Sequence, residues 1–411
     1  MLKEVFKPDE PDLKTAERLA RMKKDEGQST IDLFEVYRRN RKLGKILRQG
    51  ILRLITSVIR GENNEVFSPA TVYGLLLILD GCAKISVQTE LERLLDIEKG
   101  DAAEIAQTLR ECLNRITPEG SSYLSFSAWV DEKLDVDCEK YEKFCRDLSV
   151  HGYRCEFSDP ETSRAIGQWI ADRTKGMLER APQSDPEEVV KLCSALYFKA
   201  GWIEKFHRRD NERRTFHTGD GRKIDCEFMT KTRDTYLFFG DRFTACKLLL
   251  NDESSMSFLL PAPDCSPADL LNEPAALDFI LTGFAPRKTE YHLTYKIPKF
   301  EVSAKNDLIR SLRSLGLENV FRSAYPTIDF VRRNYDDDNR MYISGVEESA
   351  KLKIDEDGVC GVSVAELCFC LGIPPELEDR EFILDRPFVF SVNGPGDLPL
   401  FVGTITDPTE G

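Results

Sequence analysis

Four histidines and twelve cysteines are the residues of this 411-residue chain best suited to ligate a metal or attack a carbonyl. His151, His207, His217 and His292 stand far apart, and none lies at a metal-ligand spacing from another or from a CxxC pair. The cysteines are scattered from Cys82 to Cys370, most of them inside apolar runs such as VVKLCSALYF around Cys193. That is the setting of small buried hydrophobes, not of activated nucleophiles. No GxSxG elbow, P-loop or dinucleotide-binding glycine fingerprint occurs. The acidic DEDG at 355–358 would make a calcium loop only with Lys353 and Val364 as its first and last ligands, which neither can be. It reads instead as the acidic end of a strand at a glycine turn. YRRNRKLGKILR, from Tyr37 to Arg48, holds no acid and reads as a solvated helix face, with an anion patch or a nuclear-import signal as alternatives. The expectation is a protein that is not an enzyme and has no metal or cofactor.

Composition agrees with a binding or structural role. With 41% hydrophobic and 31% charged residues the chain is that of a soluble globular protein, and its net charge of -14 argues against nucleic-acid or anionic-membrane partners. The longest apolar run, LLLIL at 75–79, is too short to cross a bilayer. There is no Asn-x-Ser/Thr sequon and no apolar run at the start of the chain. We therefore expect reduced thiols, a cytoplasmic setting and a monomer; an extracellular setting is the alternative if the chain is a processed form.

These residues must be positioned by the elements around them. Residues 1–42 are highly charged and are expected to form a poorly packed or disordered extension to a single domain spanning 43–411. Leu47, Ile51, Leu54, Ile55 and Val58 fall on one helical face, and Ser68-Pro69 should start a second helix. Further helices fit Val87–Leu95, Ala102–Ile116, Cys138–Leu148, Ser163–Leu178 and Asn306–Leu315. Strand-like runs are Tyr123–Val130, Val189–Phe198, Ala245–Leu250 and Met256–Leu260, followed by a closing hairpin, FVFSV (388–392) and LFVGTIT (400–406), that is apolar on both faces. Helices dominate the first part and strands the last, which argues for an α+β fold.

Several blocks resemble one family, in its order along the chain. FILDRPFVFSV (382–392) with LFVGTITDP (400–408) closely resembles the C-terminal signature of the serpins. EVFSPATVYGLLLILDGC (65–82) is similar to their strand-to-helix block and AIGQWIADRTKGML (165–178) to the helix crossing the main sheet. LCSALYFKAGW (192–202) resembles the central strand and KIPKFEVSAKNDLIRSLRSLGLENVF (296–321) a later strand-helix unit. The resemblance implies an α+β serpin fold: three β-sheets, about eight or nine helices and an exposed reactive-centre loop at 358–384.

It also implies a function. In this family a protease cleaves the loop, forms an acyl-enzyme and is trapped as the freed strand inserts into the main sheet; the partner is a target protease. The reactive bond falls at Leu371–Gly372, with Gly372–Ile373 or a cut at Phe369 as alternatives, and its apolar anchor suits chymotrypsin-like or cathepsin-like enzymes. Cys368 and Cys370 flank Phe369 and read as two incidental exposed thiols; the alternative is that their oxidation changes protease recognition or loop mobility. The hinge is Glu356, Gly358, Val359, Cys360, Gly361, Val362, Ser363, Val364 and Ala365. In an inserted strand one face presents Val359, Gly361, Ser363 and Ala365, all small or β-branched. The family's threonine or serine and alanine-rich run are replaced here by Val-Cys-Gly-Val-Ser-Val. The sheet-opening region corresponds to Ser68, Thr71, Ser194, Trp202 and Glu348. Ser194 and Glu348 replace an asparagine and a histidine that hydrogen-bond each other in the family, and this pair can stand in for that bond only where the carboxylate finds donors. The alternative function is a non-inhibitory carrier, chaperone or binding protein.

Overall fold

The computed structural model describes residues 2–8, 30–116, 120–178, 188–322, 327–333, 343, 345–359 and 377–410, with side chains from 38 onward in the first helix. Among them are nine α-helices and two principal sheets. The first helix, α1 (Thr30–Val58), buries Leu43, Leu47, Ile51, Leu54 and Ile55, the apolar stripe read from the sequence. After β2 (Glu65–Phe67), helix α2 (Pro69–Cys82) begins with Ser68 in an extended conformation and Pro69 in the first turn. It is buried along nearly its whole length, so it is apolar all round rather than on one stripe.

The main sheet places β3 (Gly120–Asp131) between β4 (His151–Cys155) and β5 (Val190–Gly201). Strands β3 and β5 pair antiparallel from Gly120↔Ala200 to Val130↔Val190, and β4 runs parallel to β3. On one face lies α2. On the other, helix α6 (Pro160–Arg173) packs Ile166 and Trp169 onto Trp129, Cys155 and Ala195. Between them come α3 (Ile85–Leu95), α4 (Ala102–Leu113) and α5 (Cys138–Asp147).

The second sheet has nine strands. Its hydrogen-bonded order is β14 (Asp379–Ile383), β10 (Arg287–Pro298), β7 (Lys223–Phe239), β8 (Phe243–Leu249), β9 (Ser255–Pro261), β15 (Phe388–Gly394), β16 (Leu398–Ile405) and β2, with β6 (Glu212–His217) on β7. Every residue of β15 and β16 is buried, as their apolar composition requires.

A third, separate pair consists of β11 (Phe300–Asp307) and β12 (Glu347–Ile354), antiparallel from Phe300↔Ile354 to Asp307↔Glu347. Strand β13, only Gly358–Val359, pairs antiparallel with Ala200–Gly201 of β5 and is bridged to the end of β12 through Asp355↔Gly358. It therefore lies between β5 and β12 at one end. Among the described residues no strand continues it, and beyond Val359 the facing edges of β5 and β12 have no sheet partner.

Three sequence expectations change. Lys3–Phe6 is strand β1, antiparallel to β4 at the outer edge of the main sheet, and α1 starts at Thr30. Within the supposed extension, Lys3–Phe6 and the residues from Thr30 onward are secondary structure, backbone pairing ordering Lys3–Phe6 despite their charge. Asn306 belongs to β11 and not to the following helix, which spans Ile309–Ser314, because the inward alternation of Phe300, Val302 and Asn306 extends the strand. Strands β7 and β10, the longest cross-strand pairing of the second sheet, escaped the apolar-run reading because charged residues interrupt both.

Gly403 shows how closely the layers approach. A Cβ there would stand 2.1 Å from the Glu65 carbonyl and 2.6 Å from the Phe390 ring. Gly403→Ala is expected to destabilise the protein by about 2–3 kcal/mol, read as a lower melting temperature in a purified, folded variant.

Candidate functional site

At the end of the opening between β5 and β12, a four-residue turn holds β13 in place. Asp355 N–H donates to Gly358 O and Gly358 N–H to Asp355 O, each at 3.2 Å. Gly358 has φ of 137°, and a Cβ there would meet Ala200 O at 2.4 Å, so only glycine fits. Trp202, fully buried and edge-on to Phe206, donates its indole N–H to Asp355 O at 2.9 Å. Glu356 is 4% exposed and accepts from Asn211 Nδ2 at 2.5 Å and Lys299 Nζ at 3.1 Å, with Arg208 Nε at 4.0 Å. Burial opposes ionisation of this carboxyl, but its own backbone amide, Asn211 and Lys299 hold its pKa below the ordinary glutamate value.

Deeper in the opening, both strand edges are tied to the first turn of α2. Ser194 Oγ, on β5, donates to Thr71 O at 3.1 Å. Glu348, on β12, accepts from Ser68 N–H at 3.2 Å through Oε1 and from Asn306 Nδ2 at 2.8 Å through Oε2. The Ser68 and Thr71 hydroxyls share a 2.6 Å hydrogen bond, and Asn306 Nδ2 also reaches Val66 O at 3.1 Å. No hydrogen bond joins Ser194 to Glu348, and the carboxylate finds donors elsewhere. Each residue is anchored to α2, because the carboxylate, an acceptor only when ionised, finds its donors in Ser68 and Asn306. Burial pushes the Glu348 carboxyl up to about 7, outweighing the two hydrogen bonds that favour its ionised form.

This is a hydrogen-bonded seam between β5, β12 and the start of α2. The nine described cysteines are free thiols, most of them buried, and no cluster of three potential metal ligands occurs among the described residues. Burial lifts the thiols of Cys112, Cys193 and Cys226 to about 11, away from nucleophilic reactivity.

Comparison with known proteins gives this geometry its context. A family profile described as Serpin (serine protease inhibitor) matches residues 51–408. The chain belongs to the serpin family. Its similar relatives include Serpin-ZX of Arabidopsis thaliana, 24% identical over 373 residues that cover 86% of this chain and 94% of the relative. Plasminogen activator inhibitor 1 of Bos taurus is 26% identical over 373 residues, covering 87% and 90%. Among solved structures, the native state of the thermophilic serpin Tengpin superposes with a TM-score of 0.76 at 21% identity, covering 89% of this chain and 94% of that one. These likenesses establish the α+β serpin fold.

Of the sequence-predicted residues of this serpin, Ser68, Thr71, Ser194 and Glu348 meet at the α2 N-terminus, while Trp202, Glu356, Gly358 and Val359 meet at the turn. Cys360, Gly361, Val362, Ser363, Val364 and Ala365 lie outside the described residues, as do Cys368, Phe369, Cys370, Leu371, Gly372 and Ile373. Sequence reasoning missed Asn306, Asn211 and Lys299. Asn306 sits opposite Glu348 in the β11–β12 register, a signal visible once those strands are paired. Asn211 and Lys299 approach Glu356 from 145 and 57 residues away and carry no local signal.

The raised Glu348 pKa has a defined sign. The native carboxyl stays protonated where the unfolded one ionises, so its contribution is intact below about pH 4.5 and is lost as pH rises through about 7. The melting temperature of the intact protein relative to Glu348→Gln should therefore fall between pH 5 and pH 8. A difference that stays constant across that range would show that Glu348 does not titrate there.

Proposed function

We propose that this serpin inhibits a serine or cysteine endopeptidase by loop cleavage and strand insertion. The protease nucleophile attacks the Leu371 carbonyl and the bond to Gly372 breaks, releasing the Gly372 amine and leaving an ester or thioester to the enzyme. The freed segment then extends β13 between β5 and β12. An apolar residue before the bond favours a chymotrypsin-like or cathepsin-like enzyme.

The observation that carries this reading is the register of β13. Gly358↔Gly201 and Val359↔Ala200, continued, would pair Ala365 with Ser194 and Phe369 with Val190, the last residue of β5. The Asp355↔Gly358 bridge, continued the same way, puts Ala365 opposite Glu348. Val359 and Ala200 are buried together, so the inward face of the extended strand would be Val359, Gly361, Ser363 and Ala365. These are small enough to lie over α2, and the other face, Cys360, Val362, Val364 and Glu366, would point towards α6. A cut after Leu371 leaves intact every residue that β5 can pair.

Incubation with chymotrypsin or a cathepsin should give a covalent complex that survives denaturing electrophoresis. Cleavage within 366–372 without trapping should raise the melting temperature by about 20 °C or more, because a ten-residue strand gains two neighbours. A cleaved protein with unchanged melting temperature and no complex would leave the carrier or chaperone reading in its place.

A further inference from the structure

An open cavity of about 530 Å³ lies beside the turn that leads into β13. Its walls include Arg208, Asn211 and Arg213 around the start of β6, Glu227 of β7, Lys299 between β10 and β11, and Thr409 near the end of the chain. Three of these side chains are the ones that hold Glu356. The cavity and the turn therefore draw on the same donors.

The positive charge in the cavity is only partly matched. Lys299 is shared between Glu227 at 2.7 Å and Glu356 at 3.1 Å. Arg208 is largely exposed, and its one ion pair among the described residues is the 4.0 Å approach to Glu356. Arg213 donates to a neutral group, the Asp225 carbonyl, at 3.4 Å. Glu212, a further carboxylate of the wall, is taken up by Arg214 and Lys296. Arg213, with no carboxylate partner among the described residues, Arg208, paired only at 4.0 Å, and the shared Lys299 ammonium thus border a single opening. Asn211 Oδ1, buried in the cavity wall, has no hydrogen-bond partner among the described residues. Guanidinium groups match the oxygen geometry of phosphate and carboxylate groups.

We propose that this cavity binds a small oxyanion, a phosphate or a polycarboxylate, and that binding draws Arg208 and Lys299 away from Glu356 and loosens the turn holding Gly358–Val359. A bound anion acts twice: it competes for the donors of Glu356 and repels the carboxylate itself. The regulatory meaning rests on the proposed inhibitory function, since it is hinge movement that would be promoted. The binding and the local release do not need a protease to be observed.

Trp202 supplies the reporter, because its indole N–H is bonded to Asp355 O in the same turn. The full chain is titrated by calorimetry with inorganic phosphate and, separately, with citrate, at constant ionic strength so that general screening is held fixed. Saturable binding of either anion is expected, with a matching change in tryptophan emission that Trp202→Phe abolishes. Arg213→Ala, which does not touch Glu356, should weaken binding by about tenfold or more while leaving the unliganded emission unchanged. No saturable binding of either anion, or binding that Arg213→Ala leaves intact, overturns the site. Binding with no Trp202 response overturns the coupling to the hinge. A protein that fails to trap proteases but gives the expected titration contradicts the inhibitory function and not this site.

Discussion

The described structure is organised around a strand position between β5 and β12 that Gly358–Val359 begin to fill. Backbone N–H and C=O groups are obligatory hydrogen-bonding groups, and a sheet edge left open in the middle of a fold is costly and prone to pair. Here the edges of β5 and β12 face one another with β13 started between them at Gly358–Val359. Two helices flank that place. Helix α2 closes it from behind, α6 crosses β3, β4 and β5 in front, and neither edge is cross-linked to the other by a side chain at the level of Ser194 and Glu348.

Two buried glutamates set the stiffness of this arrangement in opposite ways. Glu356, ringed by Asn211, Lys299 and Arg208, is held ionised and fastens the turn before β13. Glu348 lies where burial dominates its two donors, so its charge is disfavoured near neutrality. A strand sliding in from β13 would pass the first before reaching the second. The turn at Glu356 is thus fastened by charge, whereas the contact at Glu348 is not. The alternative of a direct bond across the opening would have to be broken before any strand could pass.

How much of this was legible in the sequence depended on range. The stripe of α1, the buried α2 beginning at Pro69, the β15–β16 hairpin and the glycine turn at Gly358 all follow from local patterns, and each stands where those patterns put it. The resemblance supplied the family and the order of the blocks. Beyond reach were pairings set by tertiary contact: Lys3–Phe6 against β4, Asn306 beside Glu348, and Asn211 and Lys299 around Glu356. Polar groups of this kind are chosen by what they meet after folding, and nothing in their neighbours along the chain announces the partner.

The central claim is that the place between β5 and β12 is open in the intact protein and filled after loop cleavage. Hydrogen–deuterium exchange on the two forms tests it most directly. The account predicts that amides between 190 and 199 on β5, and those of β12, exchange much faster in the intact chain on the edges facing the opening and become strongly protected once the loop is cut. Equal protection of these amides before and after cleavage would contradict it.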